Sequence, residues 1–578
     1  MVEAFGTALH PERTLCLYLA SEGRLRDSML SLPDFGPIYP RIMEQYTLKK
    51  EEGYRVGIDE VTEVPAPEDF SVQCSQASDE EQATTLVKAY ELFKVFKLLF
   101  VGLILNSGDL EASKRMFMNP DAMNSVTAFG IVEIELGFMY DLLYTKALLL
   151  NRAWGIIRWV INLSVPSAVL VFFSLQDRKD YPKVDICITF LLISVSILLE
   201  IYSVLLAISS DWVGHWRLQR PGRSTISSAV AFLQICPNPR WSNSVAQFSL
   251  LGLSIRKRNR IFSKYRRFAK LDNKLVKNFY IGYKDFKSNM KEWILSHTRD
   301  TVNYLEQNDR FKSGLTSLKL EASVVLKRSN HDHLNWSVKD MEFDQSILIW
   351  HIATELCHYK DHGNRQGQKA EDVTNFKMSK LISRYMLYLL VLHPSMLPTG
   401  IGALRYEDTL VDAEKFFEDK LAVSSKKETS IMKRAQKLFK KEKRVDTGVH
   451  SCEKEHKSTE SSDLCKLCHL LLRVGTKLPA KKIRGGKSRS VLFDACYLAF
   501  QLNSIGPNDF STKWGLIGKV WAKFLIYAAC QSKGYEHSES LSRGGELLSH
   551  VWLLMAHLGV ADLVQTSEVQ CITKLIVT

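Results

Sequence analysis

Apolar side chains recur at helical spacing in two stretches of the N-terminal half of the chain. The first, 84–105, has an apolar face interrupted by Glu91, Lys94 and Lys97, as an amphipathic helix does. The second, 128–150, carries acidic residues inside an otherwise apolar run, which predicts an interfacial or core helix rather than a membrane span. Those acidic residues are Glu133, Glu135 and Asp141.

Two further stretches, 156–175 and 184–208, are apolar enough and long enough to cross a membrane. A helix needs about 20 apolar residues to span a hydrocarbon core about 30 Å thick. Arg158 lies near the start of the first stretch, where its side chain can reach the headgroups, and Pro166 is tolerated inside a span. Since the connecting segment 176–182 is too short to hold a domain, the pattern predicts a transmembrane helical hairpin.

The segment after the second span is basic and predicts the orientation of the hairpin. Between residues 212 and 271 there is no Asp or Glu, whereas Lys and Arg recur throughout. By the positive-inside rule the flank 212–270 is cytoplasmic, and the hairpin then returns the N-terminal side to the cytoplasm, in agreement with Lys146 and Arg152. We expect the following basic side chains to face the lipid surface: Arg217, Arg220, Arg256, Lys257, Arg258, Arg260, Lys264, Arg266 and Arg267.

Ordinary topogenic charge with no specific ligand explains this basic flank equally well. Nucleic acid is a secondary interpretation and is not expected as a partner, because the tether restricts access and no binding fold is recognisable. The formal net charge of +13 at pH 7 points to a polyanion of one kind or the other. The 11 cysteines, an odd number, suit reduced thiols in a cytosol-facing protein, and the first residues lack the features of a signal peptide.

The fold class predicted from these patterns is mainly α, a transmembrane helical hairpin plus a helical cytoplasmic domain. We divide the chain into a soluble irregular segment at 1–82, a membrane-associated domain at 83–270, a linker or helical connector at 271–340 and a helical domain at 341–578. A basic tract of low hydrophobicity predicts a disordered insertion at about 424–463. Helical patterns in the last domain cover 341–360, 376–392, 408–420, 491–502, 516–531 and 544–564.

Glu200 lies deep in the second predicted span, and it is the first candidate functional residue. An ionisable side chain there costs about 2.5–3.5 kcal/mol on insertion scales and usually faces a partner or a cavity. Ser196 and Ser203 lie on the same helix face, since they are four residues before and three after it. An ion or proton site, a contact to a partner helix, and a hydrogen-bonded residue that serves assembly alone are the alternatives.

His351, Glu355 and His358 form the second candidate, because their spacing places all three on one face of a helix. Such a face could bind zinc or iron. The pattern is not HExxH, however, and lacks the adjacent Glu that serves as the base of a metalloprotease. A role in helix packing is therefore the alternative to metal binding.

Two short motifs resemble known sites without meeting their requirements. Residues 465–469, CKLCH, match the pattern of covalent haem attachment, which requires an export or organelle context, and with Cys452 and His456 they match no standard zinc finger. Residues 485–488, GGKS, resemble the end of a phosphate-binding loop, but Lys481 stands where that loop needs glycine. No catalytic signature is recognised, and the sequence implies no cofactor.

Several phrases of the chain resemble a large plant family of membrane proteins that carry domain of unknown function 4220 in the N-terminal half and 594 near the C-terminus. Residues 133–146, EIELGFMYDLLYTK, and 349–357, IWHIATELC, resemble two of its most recognisable phrases. The other matching phrases are Asp185, 200–202 (EIY), 210–212 (SDW), 241–248 (WSNSVAQF), 385–398 (YMLYLLV through MLP), 544–548 (GGELL) and 551–559 (VWLLMAHLG). Relative to that family, the chain begins where several further transmembrane helices should already be complete, so the resemblance implies a chain without them.

The resemblance implies no known activity, so the functional expectation rests on the architecture. We expect a multi-pass, membrane-anchored interaction or scaffold protein without catalytic activity, whose partners are the bilayer, with anionic lipids, and other proteins. A subunit of a transport or channel assembly that uses Glu200 is the alternative. Metal-dependent activity at His351, Glu355 and His358 is a weaker one.

Overall fold

A computed structural model describes most of the helical part of the chain. The described residues are 56–59, 80–100, 105, 107–121, 123–144, 153–175, 182–208, 210–219, 241–258, 280–307, 314–362, 368–398, 401–436, 463–474, 490–505, 509–543, 546–560 and 574–577. Apart from 56–59 and the start of one helix at residue 80, the predicted irregular segment 1–82 lies outside them.

These residues are mainly α-helical, as the hydrophobic pattern predicts. In chain order the elements are β1 (Val56–Asp59), α1 (Glu80–Phe100), α2 (Ser107–Met118), α3 (Ser125–Tyr144), α4 (Ala153–Leu175), α5 (Lys183–Ile208), α6 (Asp211–Gln219), β2 (Ser244–Gln247), α7 (Leu250–Arg258), β3 (Gly282–Asp285), α8 (Ser288–Gln307), α9 (Gly314–Arg328), α10 (Phe343–Lys360), α11 (Ala370–Leu392), α12 (Gly402–Gln436), α13 (463–472), α14 (Val491–Asn503), α15 (Phe510–Gln531), α16 (Gly534–Leu541), α17 (Leu547–Met555) and β4 (Lys574–Val577). Two 3₁₀ turns cover Asp332–Ser337 and Pro394–Met396, and a π-helical turn, Ala556–Val560, continues α17.

The chain divides into two compact units. Unit 1 comprises Met1–Ser242 together with Lys533–Thr578, and unit 2 comprises Asn243–Ser532. The predicted domain at 341–578 therefore differs from the structure, because its last segment belongs with the N-terminal half. The reason is physical: α17 buries every one of its side chains, and it does so against α3.

Unit 1 is built around α1, α3 and α17. The ring centroids of Phe93, Phe138 and Trp212 lie between 5.1 and 5.8 Å from one another, which joins α1, α3 and α6. The N-terminus of α16 approaches the end of α1 so closely that a Cβ added to Gly534 would collide with the backbone of Leu99. α3 is buried along most of its length, so the core alternative for 128–150 describes it.

The α4–α5 hairpin also belongs to unit 1. Its helices pack against each other, and the rings of Phe173 and Phe190 meet edge to face with their centroids 5.2 Å apart. Both helices begin within three residues of the predicted spans. Pro166 lies inside α4, which continues through it.

Unit 2 surrounds α10, which is buried on nearly every side between α11, α14 and α15. Its buried polar groups therefore need hydrogen-bond partners. Two of these partners come from α15: Trp521 Nε1 donates to Thr354 Oγ1 at 2.9 Å, and Trp514 Nε1 donates to Oδ2 of Asp361, which follows α10, at 2.9 Å. Lys513 also forms an ion pair with Asp361.

Two segments of unit 2 contain helices beyond those that the sequence pattern located. The segment 271–340, predicted as a linker or helical connector, contains β3, α8 and α9, and Trp293 on α8 donates a 2.6 Å hydrogen bond to Asn375 Oδ1 in the core. The predicted disordered insertion at 424–463 is helical as far as Gln436, where α12 ends, and the rest of it lies outside the described residues. Lys, Glu and Ala are good helix formers, so composition alone did not distinguish a charged helix from a disordered tract.

Candidate functional site

The α4–α5 hairpin is the largest exposed apolar feature of the described residues in unit 1. Lys183–Tyr202 is long and apolar enough to cross a membrane, with a mean hydropathy of 2.3 and no part of it buried. It is the one full-length span of this kind among the described residues, and Leu163–Leu175 of α4 is a shorter apolar helix. Phe172 and Leu198 are each 63% exposed. Folded monomers in water rarely leave a contiguous apolar surface of this size uncovered.

The structure describes the side chains of two of the three candidate polar residues in the second predicted span. Glu200 is half-buried and Ser196 is exposed, and the side chain of Ser203 lies outside the described residues. Of the basic residues expected at the lipid surface, Arg217 lies on α6 and Arg256, Lys257 and Arg258 on α7, with no described side chains. The remaining ones, Arg220, Arg260, Lys264, Arg266 and Arg267, lie outside the described residues altogether.

His351, Glu355 and His358 share one face of α10, as their spacing predicts, and that face meets α11. The Leu250 backbone N–H points at His351 Nε2, 3.5 Å away, so His351 Nδ1 carries the proton and meets Ser383 Oγ at 2.9 Å. Glu355 accepts two hydrogen bonds from Arg384, of 2.5 and 3.1 Å.

His358 takes part in a third contact on the same face. Its Nδ1 accepts a 3.3 Å hydrogen bond from Lys380 Nζ, and its ring stacks on Phe376 with the centroids 4.1 Å apart. The three predicted metal ligands are therefore each held by a different partner from α11. Among the residues that the structure describes, no group of three or more His, Cys, Asp or Glu side chains is arranged to hold a metal ion.

Burial and the neighbouring charges decide the protonation of this face. Burial lowers the pKa of His351 to about 4, and burial together with Lys380 lowers the pKa of His358 to about 3, so both rings are neutral. Burial by itself raises the pKa of Glu355, but the charge and hydrogen bonds of Arg384 outweigh it and hold that pKa well below its usual range. The face therefore carries one bidentate ion pair between two neutral histidines.

The CKLCH motif lies on α13, with Cys465 exposed and Cys468 buried. Both cysteines are free thiols. Burial, together with the Glu355 and Cys465 charges, raises the pKa of Cys468, so its thiol is neutral. Cys452, His456 and the GGKS segment 485–488 lie outside the described residues.

A second polar cluster, in unit 1, was not predicted from the sequence. His557 lies in the π-helical turn after α17, and its Nε2 is 2.7 Å from Glu135 Oε2 on α3 while its Nδ1 is 2.9 Å from Ser113 Oγ on α2. Its ring lies flat against Phe117, with the centroids 4.4 Å apart. All three polar side chains are at most 2% exposed.

The chemistry of this cluster follows from its burial. Burial raises the pKa of Glu135, and the charge and hydrogen bond of His557 lower it only in part. Glu135 Oε1 is also buried without a hydrogen-bond partner. The Glu135 Oε2–His557 Nε2 and His557 Nδ1–Ser113 Oγ contacts thus connect a carboxyl group of raised pKa to a buried serine through one imidazole ring. The three groups have the order of an acid–histidine–serine relay, but the serine is closed to solvent, so the arrangement joins three helices rather than exposing a nucleophile.

A signal for this pair exists in the sequence. Glu135 and His557 are each one of a few ionisable residues in a mostly apolar helical segment, and buried polar groups require partners. Nothing in the sequence order identifies one as the partner of the other, because they are 422 residues apart.

Comparison with protein families agrees with the phrases quoted above. Residues 4–253 match the family model described as a domain of unknown function, DUF4220, and residues 507–560 match the one described as a protein of unknown function, DUF594. The chain carries both domains. The resemblance predicted from the residues is thereby confirmed, with the predicted order along the chain. No curated protein and no solved structure matches the chain.

The two matched segments contain different helices of the fold. The DUF4220 match includes α1–α6, and with them Ser113, Glu135 and the hairpin. The DUF594 match includes α15, which lies in unit 2, and both α16 and α17, which lie in unit 1. His557 therefore belongs to the DUF594 segment and its partner Glu135 to the DUF4220 domain. This pair is a contact within unit 1 through which the two family domains share one core.

Proposed function

We propose that the protein is anchored in a membrane by the α4–α5 hairpin and acts there as a non-catalytic interaction protein. The observation that supports the anchor is the exposed apolar surface of Lys183–Tyr202. α5 has 26 residues and so is about 39 Å long, enough to cross a hydrocarbon core of about 30 Å. With α4 packed beside it, the hairpin would cross twice and leave both flanks on the cytoplasmic side, as the basic residues after α5 favour.

Extraction from membranes tests the anchor. The full chain, expressed in cells, should stay in the pellet when the membranes are washed with alkaline carbonate and should enter solution only with detergent. A version in which the segment 153–208 is replaced by a short Gly/Ser linker should move to the soluble fraction. Release of the intact protein by carbonate would contradict membrane insertion and leave a peripheral attachment.

Topology is tested separately from insertion. A glycosylation acceptor placed in the loop 176–182 should be modified by the lumenal enzyme, whereas one placed after residue 219 should not. Modification of the second acceptor alone would reverse the proposed orientation.

The interaction role is supported by an apolar strip at the start of α12 in unit 2. Ile401, Leu404 and Val411 are exposed, Leu404 at 67%. Ile401 immediately precedes α12, and Leu404 and Val411 lie on one side of the helix, because seven residues correspond to nearly two full turns, with exposed Asp408 between them. Single exposed apolar residues are ordinary, but a strip along one side of a helix is typical of a contact surface.

A pair of substitutions that introduce negative charges tests this surface. The double variant Leu404→Glu with Val411→Glu should lose proteins that co-purify with the detergent-solubilised chain, while Lys420→Glu, at an exposed position on the opposite side of the same helix, should retain them. An identical set of co-purifying proteins for all three chains would contradict a role for the strip. Turnover of a small molecule by the purified protein would contradict the non-catalytic proposal as a whole.

A further inference from the structure

Four cations of unit 2 lie close to one another, and we call them the basic cluster: Lys284, Lys377, Lys380 and Arg384. Three of them are on α11 at spacings of three and four residues, which places them on one face of that helix. Lys284 is on β3. None of them belongs to the basic flank that the sequence pattern identifies as a lipid-facing segment.

The antiparallel pair of strands β2 and β3 places Lys284 near α11. Gln247 Nε2 donates to the Leu381 carbonyl oxygen at 3.1 Å, and the Phe248 N–H donates to the Arg384 carbonyl oxygen at 3.2 Å. β3 pairs with β2 so that Lys284 lies opposite Val245. The strand pair is therefore attached to the same turns of α11 that carry Lys380 and Arg384.

The charges of the cluster are only partly neutralised. Arg384 forms the ion pair with Glu355, and Lys380 donates to His358, which is neutral. Neither Lys284 nor Lys377 forms an ion pair within the described part of the chain. Three positive charges thus share a small region with no carboxylate left to balance them.

The excess of positive charge contributes to the lowered pKa values of two of the lysines. Burial lowers the pKa of Lys284, and the charges of Arg384 and Lys377 lower it further. Burial is also the main reason that the pKa of Lys380 falls to about 8. The charge of Glu355 raises that pKa, and the charges of Arg384 and Lys284 offset part of the rise. An anion placed among these groups would relieve the repulsion and raise both pKa values.

The donor geometry indicates which anion fits. Glu355 occupies Nε and Nη2 of Arg384, and the guanidinium has five N–H donors in all, so donors on the Nη1 side are left for a ligand. A guanidinium and three ammonium groups that share one region match a dianion with several acceptor oxygens, as in a phosphate monoester, better than a single carboxylate.

We propose that Lys284, Lys377, Lys380 and Arg384 form a binding site for a phosphate monoester group, either on a lipid headgroup or on a soluble molecule. The site is independent of the membrane anchor proposed above, because every residue in it belongs to unit 2. Arg384 is fixed in orientation by Glu355 and supplies directional donors, whereas the lysines supply charge.

Calorimetric titration of the full chain in neutral detergent micelles with inorganic phosphate tests the site. Wild-type protein should bind phosphate saturably at constant ionic strength, and the double variant Lys284→Gln with Lys377→Gln should bind about tenfold more weakly or worse. Lys415→Gln, at an exposed position on α12, should bind phosphate as the wild type does. Without phosphate, the double variant should melt at or above the wild-type temperature, because the substitution removes repulsion rather than a partner. Absence of phosphate binding, or equal binding by the double variant with a normal melting temperature, would overturn the proposal.

A second arm distinguishes the two sources of phosphate. The same titration is repeated in nanodiscs of phosphatidylcholine, with and without phosphatidylinositol 4-phosphate. If the lipid headgroup occupies the site, nanodiscs that contain it should abolish phosphate binding in wild type. If a soluble phosphate compound is the ligand, the isotherms in the two kinds of nanodisc should coincide. Loss of phosphate binding in both kinds of nanodisc would count against the site.

Discussion

Ionisable side chains that the chain buries are matched to partners from other helices, and these matches decide the chemistry of each unit. Glu135 meets His557 in unit 1, and Glu355 meets Arg384 in unit 2. The two carboxyl groups shift in opposite directions. Burial dominates for Glu135 and raises its pKa, whereas the charge of Arg384 dominates for Glu355 and lowers its pKa. The pKa of a buried carboxyl group is thus raised or lowered according to its partner.

Substitution of Glu135 tests whether its pair with His557 is neutral. In Glu135→Gln the side-chain amide can still donate to His557 Nε2, so we expect the free energy of unfolding to fall by less than about 1 kcal/mol. Glu135→Ala leaves a cavity and an unpartnered ring nitrogen and should cost about 3 kcal/mol. Urea unfolding in detergent micelles, followed by tryptophan fluorescence, measures both. Glu111, exposed on α2, provides matched Gln and Ala controls. A cost for Gln equal to that for Ala would indicate an ionic pair instead.

Asp141 on α3 predicts a pH dependence of stability. Burial raises its pKa to about 7, and the charge of Asp211 contributes to the rise. Because the folded-state pKa lies above the unfolded value of about 4, the folded state binds the proton more tightly. Stability from this group is present at low pH and is lost as the pH rises through about 7.

The variant Asp141→Asn removes that loss. Its melting temperature relative to wild type should therefore increase between pH 5 and pH 8, which thermal unfolding in micelles at a series of pH values measures. Asp408→Asn, at an exposed position on α12, should show no such trend. A difference between Asp141→Asn and wild type that stays constant with pH would contradict the raised pKa.

At the scale of elements, the hydrophobic period located most helices and failed where packing or composition was ambiguous. α10 and α14 begin and end within two residues of their predicted bounds. α8 and α9 lie in the segment predicted as a linker or helical connector, because the pattern of an amphipathic helix does not reveal whether a core exists to receive it. α12 continues beyond the predicted 408–420 to Gln436, since a charged sequence can be helical without an apolar face.

The hairpin yields a prediction at this scale. Leu192→Arg places a charge near the middle of the candidate span and should disfavour insertion by about 3 kcal/mol. Val184→Arg, at the start of α5, should insert normally because its side chain can reach the headgroups. The fraction of protein that resists carbonate extraction measures the difference. Equal extraction of the two variants would contradict a span centred on residue 192.

At the scale of the whole molecule, the first and last parts of the chain share one core. Unit 1 gathers α1–α6 with α16 and α17, and the latter two lie more than 300 residues away along the chain from α6. Unit 2 is formed by the continuous segment between them. Such an arrangement makes the folding of unit 1 dependent on completion of the chain.

Truncation tests this dependence. A chain that ends at Ser532 lacks α17 and His557, so the amides of α1–α3 should lose their protection from hydrogen exchange while those of α10 and α11 keep theirs. A chain that ends at Val560 retains the core and should keep protection in both units. Hydrogen exchange followed by mass spectrometry measures each segment. Protected α1–α3 in the shorter chain would show that α17 is dispensable to unit 1.

The sequence alone determined the helical class, the apolar hairpin, the family domains and the common face of His351, Glu355 and His358. All of these depend on composition, on recognisable phrases or on the period of one helix, which are local properties. Tertiary structure alone decided that residues 533–578 join unit 1, that Glu135 pairs with His557, and that Arg384 and Lys380 occupy the face proposed for a metal. Those outcomes depend on which helices pack together, and a partner hundreds of residues away leaves no mark on the local pattern.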